Sequence, residues 1–254
     1  MTAEWAVITG ASAGLGVAYA ERMASEGSNL ILAARREDRL NALAEDLRQR
    51  HAVEVQVRPV DLASEVGRAA FVDEIRQTPV HTIINNAGVG TVGNFAELDA
   101  ERVAKEVSLN VGALTELSHA VAAPMVARGR GAIINVASTA AFQPMPEMAV
   151  YAATKGYVLQ LTVALWEELR LTGVRALAIC PGPTSTDFFG NAGDDNVLKV
   201  RRTPEQVIET TFKALAAHEP FVIDGARSKV MAFANRFAPR GLSARVARLV
   251  IHNT

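Results

Sequence analysis

The chain has 254 residues, 49% of them hydrophobic, with a formal net charge of −1 and one cysteine, Cys180. That length suits a single α/β domain whose core needs no metal or cross-link, and a lone cysteine excludes an internal disulfide. A near-neutral balance argues against nucleic acid as a partner.

The opening MTAEWAVITG lacks a basic stretch followed by a long apolar one. No apolar run reaches the roughly 20 residues that cross a bilayer, so the expectation is a cytoplasmic protein without a membrane span. WAVIT reads as a buried strand, followed by a glycine-rich turn and a helix over residues 15–26. NLILAA is the second strand, and Leu40, Leu43 and Leu47 then recur with helical spacing. Further strands are predicted over residues 53–57, 81–85, 131–138, 174–180 and 220–223, and helices over 64–77, 99–127, 151–171 and 204–217. Continuous apolar strands alternating with helices predict an α/β fold: a doubly wound parallel sheet with helices on both faces. The polar stretch 189–202 is expected to be a mobile loop, and 226–251, basic throughout and free of acidic residues, two amphipathic pieces broken at 239–241.

The turn after the first strand, TGASAGLG, places Gly10, Gly14 and Gly16 between strand and helix. Glycines there let the backbone turn sharply and approach a ligand, and the helix N-terminus beyond suits a pyrophosphate. The bland alternative is a strand–helix turn with no ligand, and the position after strand one of a doubly wound sheet favours the nucleotide. The second strand ends in Ala34 with Arg35 next. A carboxylate at this point holds the ribose hydroxyl of NAD, whereas arginine accommodates the 2′-phosphate of NADP. Asp61 follows the third strand and suits either an adenine contact or a helix start.

STAAFQPMPEMAVYAATKGYVLQL holds Ser138, Tyr151 and Lys155. Tyr151 and Lys155 are four apart in a predicted helix and so share a face. A free phenol has a pKa near 10. An ammonium about 4 Å away, at an effective dielectric of about 20, favours phenolate by about 4 kcal/mol, enough to lower that pKa by up to about three units. Taken singly, each of these residues is better read as surface or turn chemistry; their joint placement within a nucleotide-binding pattern reverses that.

Thr9–Gly16, Asp61, Asn85-Asn-Ala-Gly88, Asn110, Ser138, Tyr151-x-x-x-Lys155 and Pro181-Gly182 with Thr186, all in order, resemble the short-chain dehydrogenase/reductase family in its compact single-domain branch. The resemblance spans most of the chain. It implies a Rossmann-type sheet over residues 1–254 and hydride transfer between a nicotinamide and a carbonyl or alcohol. It implies a catalytic set of Asn110, Ser138, Tyr151 and Lys155, with Tyr151 exchanging the proton. Lys155 would also hold the nicotinamide ribose, and Asn110 a water linking Lys155 to solvent. The cofactor contacts it implies are Gly10, Ser12, Ala13, Gly14, Leu15, Gly16, Arg35, Asp61, Leu62, Asn86, Ala87, Gly88, Tyr151, Lys155, Pro181, Gly182, Thr184 and Thr186. Ala13 stands where many NADP-preferring relatives carry a basic residue, so Arg35 carries the preference for NADP(H), with NAD(H) the alternative.

Phe142, Met145, Met148, Phe188 and Phe189 flank the site and predict an apolar pocket for a ketone, aldehyde, steroid or 3-oxoacyl thioester. Lys199, Arg201 and Arg202 are weighed as a greeting for a phosphate or carrier against a solvated loop, and the loop is preferred. Cys180 is read as a buried thiol, and five scattered histidines give no metal-ligand spacing. A homodimer or homotetramer is expected by resemblance. A longer sugar-nucleotide epimerase and a non-catalytic nucleotide-binding regulator are the rivals considered.

Overall fold

The computed structural model describes residues 4–185 and 202–252. Seven parallel strands form one sheet in the order β3-β2-β1-β4-β5-β6-β7. They are β1 (Trp5–Thr9), β2 (Asn29–Ala34), β3 (Val55–Pro59), β4 (Val80–Asn85), β5 (Gly131–Val136), β6 (Val174–Cys180) and β7 (Phe221–Ile223). The chain builds outward from β1 to β3, then returns to β4 beside β1 and builds the other way. The reversal opens a crevice beyond the C-terminal ends of β1 and β4, where ligands of such sheets gather.

Successive strand residues point to opposite faces, so nearly every position in the central strands is apolar. Ile8, Leu30, Leu32, Ile134 and Ile179 pack on one side with Tyr19, Leu40 and Leu47. Their neighbours Val7, Ile31, Ile83 and Ile133 pack on the other with Phe71, Ile75, Leu117 and Met125. The helices supplying these side chains are α1 (Gly14–Ser25), α2 (Glu37–His51), α3 (Glu65–Gln77) and α5 (Leu114–Arg128). Each fully buried aliphatic side chain contributes about 1.5–3 kcal/mol.

Two boundaries differ from expectation for local reasons, and the basic end divides where expected. Ala52 ends α2 at φ 52°, so Val53 and Glu54 complete the turn and β3 starts at Val55. The long helix expected over 99–127 is divided. Asp99 caps α4 (Ala100–Val107) by accepting from the amides of Glu101 and Arg102 at 2.9 and 3.2 Å. A π-helical turn over Ser108–Ala113 then leads into α5. The basic end folds as α8 (Ala226–Phe237) and α9 (Arg240–His252), preceded by α7 (Pro204–Ala216), whose Thr203–Gln206 capping box fixes its start. Among the described residues no helix is long and apolar enough to cross a membrane. The expected loop at 189–202 lies outside the described residues, except for Arg202.

Beneath the crevice runs a neutral polar network. Asn85 Nδ2 donates to Ser118 Oγ at 3.0 Å and to Asn135 Oδ1 at 2.9 Å, and Asn135 Nδ2 donates to Thr162 Oγ1 at 2.9 Å. It ties β4 and β5 to α5 and α6 (Ala149–Glu168). The first asparagine of the NNAG motif thus serves the core rather than a ligand.

Candidate active site

The crevice opens into a cavity of about 1290 Å³. One end is built by the glycine-rich turn. Gly10 has φ +66°, and a Cβ there would lie 2.9 Å from Ala87 Cα; at Gly16 a Cβ would meet the Gly10 carbonyl oxygen at 2.2 Å. Gly10 lines the cavity, whereas Gly16 stands behind it as the glycine that lets turn and helix pack. Ala13 precedes α1 without a side-chain cap, and the first turn carries no acidic residue. Amides that no carboxylate satisfies face the wall formed by Ala13, Gly14 and Leu15, which fits a phosphate group.

Arg35 is exposed on the cavity rim. Its neighbour Arg36, which sequence reading passed over, clasps the turn: Nε and Nη2 donate to Ser12 Oγ at 3.2 and 3.1 Å. Adjacency to Arg35 was the only signal. Asp61 lines the cavity and also accepts from the Ala63 amide at 3.0 Å, so its two readings coexist. Leu62, Asn86, Ala87 and Gly88 line the same end. Asn86 Nδ2 donates to the Thr9 carbonyl at 2.9 Å and so locks the NNAG segment to β1.

At the other end, β5 delivers Ser138 and α6 delivers Tyr151 and Lys155. Ser138 and Tyr151 are hydrogen-bonded, and Ser138 Oγ accepts from the Ala140 amide at 3.1 Å. Lys155 Nζ lies 5.7 Å from the Tyr151 ring centroid and donates to the Val136 carbonyl at 2.7 Å. All three line the cavity. Asn110 does not; it is buried, its Oδ1 accepting from the Val89 amide at 3.0 Å and its Nδ2 donating to Val89 O and Thr154 Oγ1 at 2.8 and 3.1 Å. Asn110 therefore holds the π turn, the loop after β4 and α6 together. A Cβ at Gly88 would lie 3.2 Å from Asn110 Oδ1 and 3.3 Å from Lys155 Nζ, so a side chain there would crowd both groups.

The electrostatics differ from the helix-pair expectation. Burial pushes the Tyr151 phenol up to about 12, against a lowering by the Ser138 hydrogen bond and with a further rise from Glu106. Burial also brings Lys155 down to about 8, opposed by Cys180 and Glu106. The cation meant to acidify the phenol is itself desolvated, which removes the leverage it would have in a wetter setting.

Pro181, Gly182 and Thr184 line the cavity, and Thr186 lies outside the described residues. The substrate end is apolar, with Met145 and Met148 on one wall and Met231 and Val246, from α8 and α9, on the other. Gln143 and Asn235 hydrogen-bond across it. Phe142 is a correction: its ring packs on Phe221 at 5.9 Å between centroids, away from the pocket. Arg202 is another, held by Asp224 through Nε–Oδ2 at 2.8 Å and Nη2–Oδ1 at 2.9 Å. Phe188, Phe189, Lys199 and Arg201 lie outside the described residues. Cys180 is buried, its thiol pushed up to about 12 by burial. No cluster of metal-ligating side chains occurs among the described residues.

The short chain dehydrogenase model matches residues 4–197. The chain belongs to the short-chain dehydrogenase/reductase family. It is 38% identical over 226 residues to sulfoacetaldehyde reductase 2 of Chromohalobacter salexigens, covering 84% of this chain and 89% of that one. A short-chain dehydrogenase from Sphingobium yanoikuyae, solved with NADPH, superposes with a TM-score of 0.85 at 36% identity over 92% of this chain and 93% of that one. The bulky-bulky ketone specific alcohol dehydrogenase from Comamonas testosteroni does so with a TM-score of 0.81 at 32% identity, covering 93% of each. This family member is an oxidoreductase of CH–OH and C=O groups that uses a nicotinamide cofactor.

Proposed function

We propose that the protein is an NADP(H)-preferring reductase of carbonyls with apolar substituents, with Tyr151 as its proton donor. The reading rests on the hydrogen-bonded Ser138–Tyr151 pair on the cavity wall, with the Lys155 amine beside the ring. A bound nicotinamide supplies or accepts the hydride. Its holders would be the glycine-rich turn, Asp61, Asn86 to Gly88, Lys155 and the segment after β6, with Arg35 meeting the 2′-phosphate. Ser138 hydrogen-bonds the substrate oxygen as negative charge gathers there, and Tyr151 delivers the proton. A phenol raised to about 12 keeps its proton at neutral pH, so the resting site is set for reduction. Asn110 positions Lys155 through α6.

Met145, Met148, Met231 and Val246 favour a ketone or aldehyde with apolar flanks. The test is NADPH consumption over a panel of sulfoacetaldehyde, an aryl alkyl ketone, a steroid ketone and a 3-oxoacyl thioester. Turnover of the aryl or steroid ketone is expected. A protein that binds NADPH and oxidises it with none of them is a nucleotide-binding regulator instead. In parallel, Arg35→Asp is expected to weaken NADPH binding far more than NADH binding; equal losses refute the role given to Arg35.

A further inference from the structure

The substrate end of the cavity carries two uncharged amides. Gln143 and Asn235 line it together with Met145, Met148, Met231 and Val246. Local geometry brings both there. Phe142, the last residue of the turn Thr139–Phe142, packs on Phe221. Gln143 then enters extended backbone, φ −153° and ψ 152°, and its side chain goes to the cavity wall instead. Asn235 lies four residues after Met231 on α8 and so shares its face. Asn235 Nδ2 donates to Gln143 Oε1, which bonds α8 to the turn that follows Ser138.

A primary amide holds two N–H donors and one carbonyl acceptor. One bond between two amides leaves the amino group of one and the carbonyl of the other unused. Here these are Gln143 Nε2 and Asn235 Oδ1, and neither has a further partner among the described residues. Turning both amides over leaves the same two functions, one donor and one acceptor. Neither atom is sealed from solvent: the buried side-chain atoms without a partner lie elsewhere. An apolar group placed against them would leave both unmatched, whereas a group that donates and accepts satisfies both.

We propose that Gln143 and Asn235 are specificity-determining residues, and that the substrate is a ketone or aldehyde with an apolar body and a hydroxyl or primary carboxamide at its far end. The inference rests on the reading of this cavity as a carbonyl reductase site. Gln143 Nε2 donates to the oxygen of the far group, and that group donates to Asn235 Oδ1. The methionines and Val246 cover the body between. Four residues of 3-10 turn separate Gln143 from Ser138. At about 2 Å of rise per residue they set the two ends of the substrate roughly 10 Å apart. A para-substituted aryl ketone has about that length.

The test uses aryl methyl ketones that differ only at the para position: hydroxymethyl, ethyl of nearly equal size, and carboxyl. In the wild type, kcat/KM is expected to favour hydroxymethyl over ethyl by about tenfold, from two neutral hydrogen bonds at about threefold each. In the double variant Gln143→Leu, Asn235→Leu that ratio should fall to one or below. Gln143→Glu keeps an acceptor for Asn235 Nδ2 and replaces the free donor with a carboxylate. It should therefore prefer the para-aminomethyl ketone, cationic at neutral pH, over the hydroxymethyl compound; this arm stands if the double variant fails to fold. Calorimetric binding of the same ketones to NADP⁺-loaded protein should give the same ranking without turnover. A wild type that does not favour the hydroxymethyl compound overturns the inference. So do equal losses on both compounds in the double variant, which would leave the pair as no more than a tie between α8 and the turn. A preference for the carboxyl compound gives recognition to Arg227, which also lines the cavity, and overturns it as well. The expected binding order in a protein that reduces no carbonyl refutes the proposed function instead.

Discussion

Two buried polar clusters meet on α6, which carries Thr162 of one and Tyr151 and Lys155 of the other, and they are built to opposite ends. Asn85, Ser118, Asn135 and Thr162 are neutral and bonded to one another, with Asn85 Oδ1 the one buried side-chain atom among them that lacks a partner among the described residues. Tyr151, Lys155 and Glu106 are ionisable, all three shifted against ionising by burial, and neither Glu106 oxygen meets strict hydrogen-bond geometry among the described residues. The first cluster fixes where the strand ends sit. The second sets Tyr151 and Lys155 on the cavity wall, with Glu106 outside it. A neutral cluster that bonds strand to strand and strand to helix helps hold ionisable groups against their preference, because the scaffold over-determines their positions.

The sharpest way to separate the clusters is to damage one and read both stability and turnover. Lys155→Met is expected to lower turnover by about 10²–10³-fold while the melting temperature holds or rises, since it removes a desolvated amine. A loss of turnover matched by unfolding would make the ionisable cluster structural and end the contrast. Asn135→Leu is the converse. It removes the acceptor for one Asn85 Nδ2 hydrogen and the donor to Thr162 Oγ1, and chemical denaturation should show a loss of about 1–3 kcal/mol. Turnover per folded molecule should be nearly unchanged; a thousandfold loss would mean the network takes part in the chemistry.

A smaller effect concerns His81, half-buried on β4, with Nδ1 lacking a partner of strict hydrogen-bond geometry among the described residues and Nε2 3.5 Å from Ser28 Oγ. Burial lowers its pKa, with Glu4 and the Trp5 backbone opposing. The unfolded chain therefore takes up a proton that the folded chain resists. Stability is complete above the unfolded value of about 6.5 and declines as pH falls below it toward the depressed folded value. In His81→Gln the melting temperature should lose this part of its slope below about pH 6.5; an unchanged slope assigns it elsewhere.

What the sequence disclosed follows the same division. Local patterns carried the sheet, because alternating apolar strands and helix spacing are short-range properties. They also carried Tyr151 and Lys155, which share one helical face, and Gly10 and Gly14 at the turn. What needed the fold was contact between distant segments. Arg36 reaching Ser12, the Met231 and Val246 wall, Phe142 turned onto Phe221 and Arg202 spent on Asp224 are all tertiary pairings. Glu106 is the plainest case. In AERVAKEV it reads as one more exposed acid beside Lys105, and only the packing of α4 on α6 buries it. The lysine–phenol argument failed in sign for a related reason: spacing gives proximity, but burial decides which charge survives.

The most direct test of the central claim, that Tyr151 passes the proton, is a single-turnover reaction of NADPH-loaded enzyme with the fastest panel carbonyl. Wild type and Tyr151→Phe are followed at the nicotinamide absorbance, with NADPH binding titrated separately. The account predicts unchanged binding and a hydride-transfer rate reduced by about 10²–10⁴-fold. A phenylalanine variant that reduces the carbonyl at the wild-type rate would contradict it.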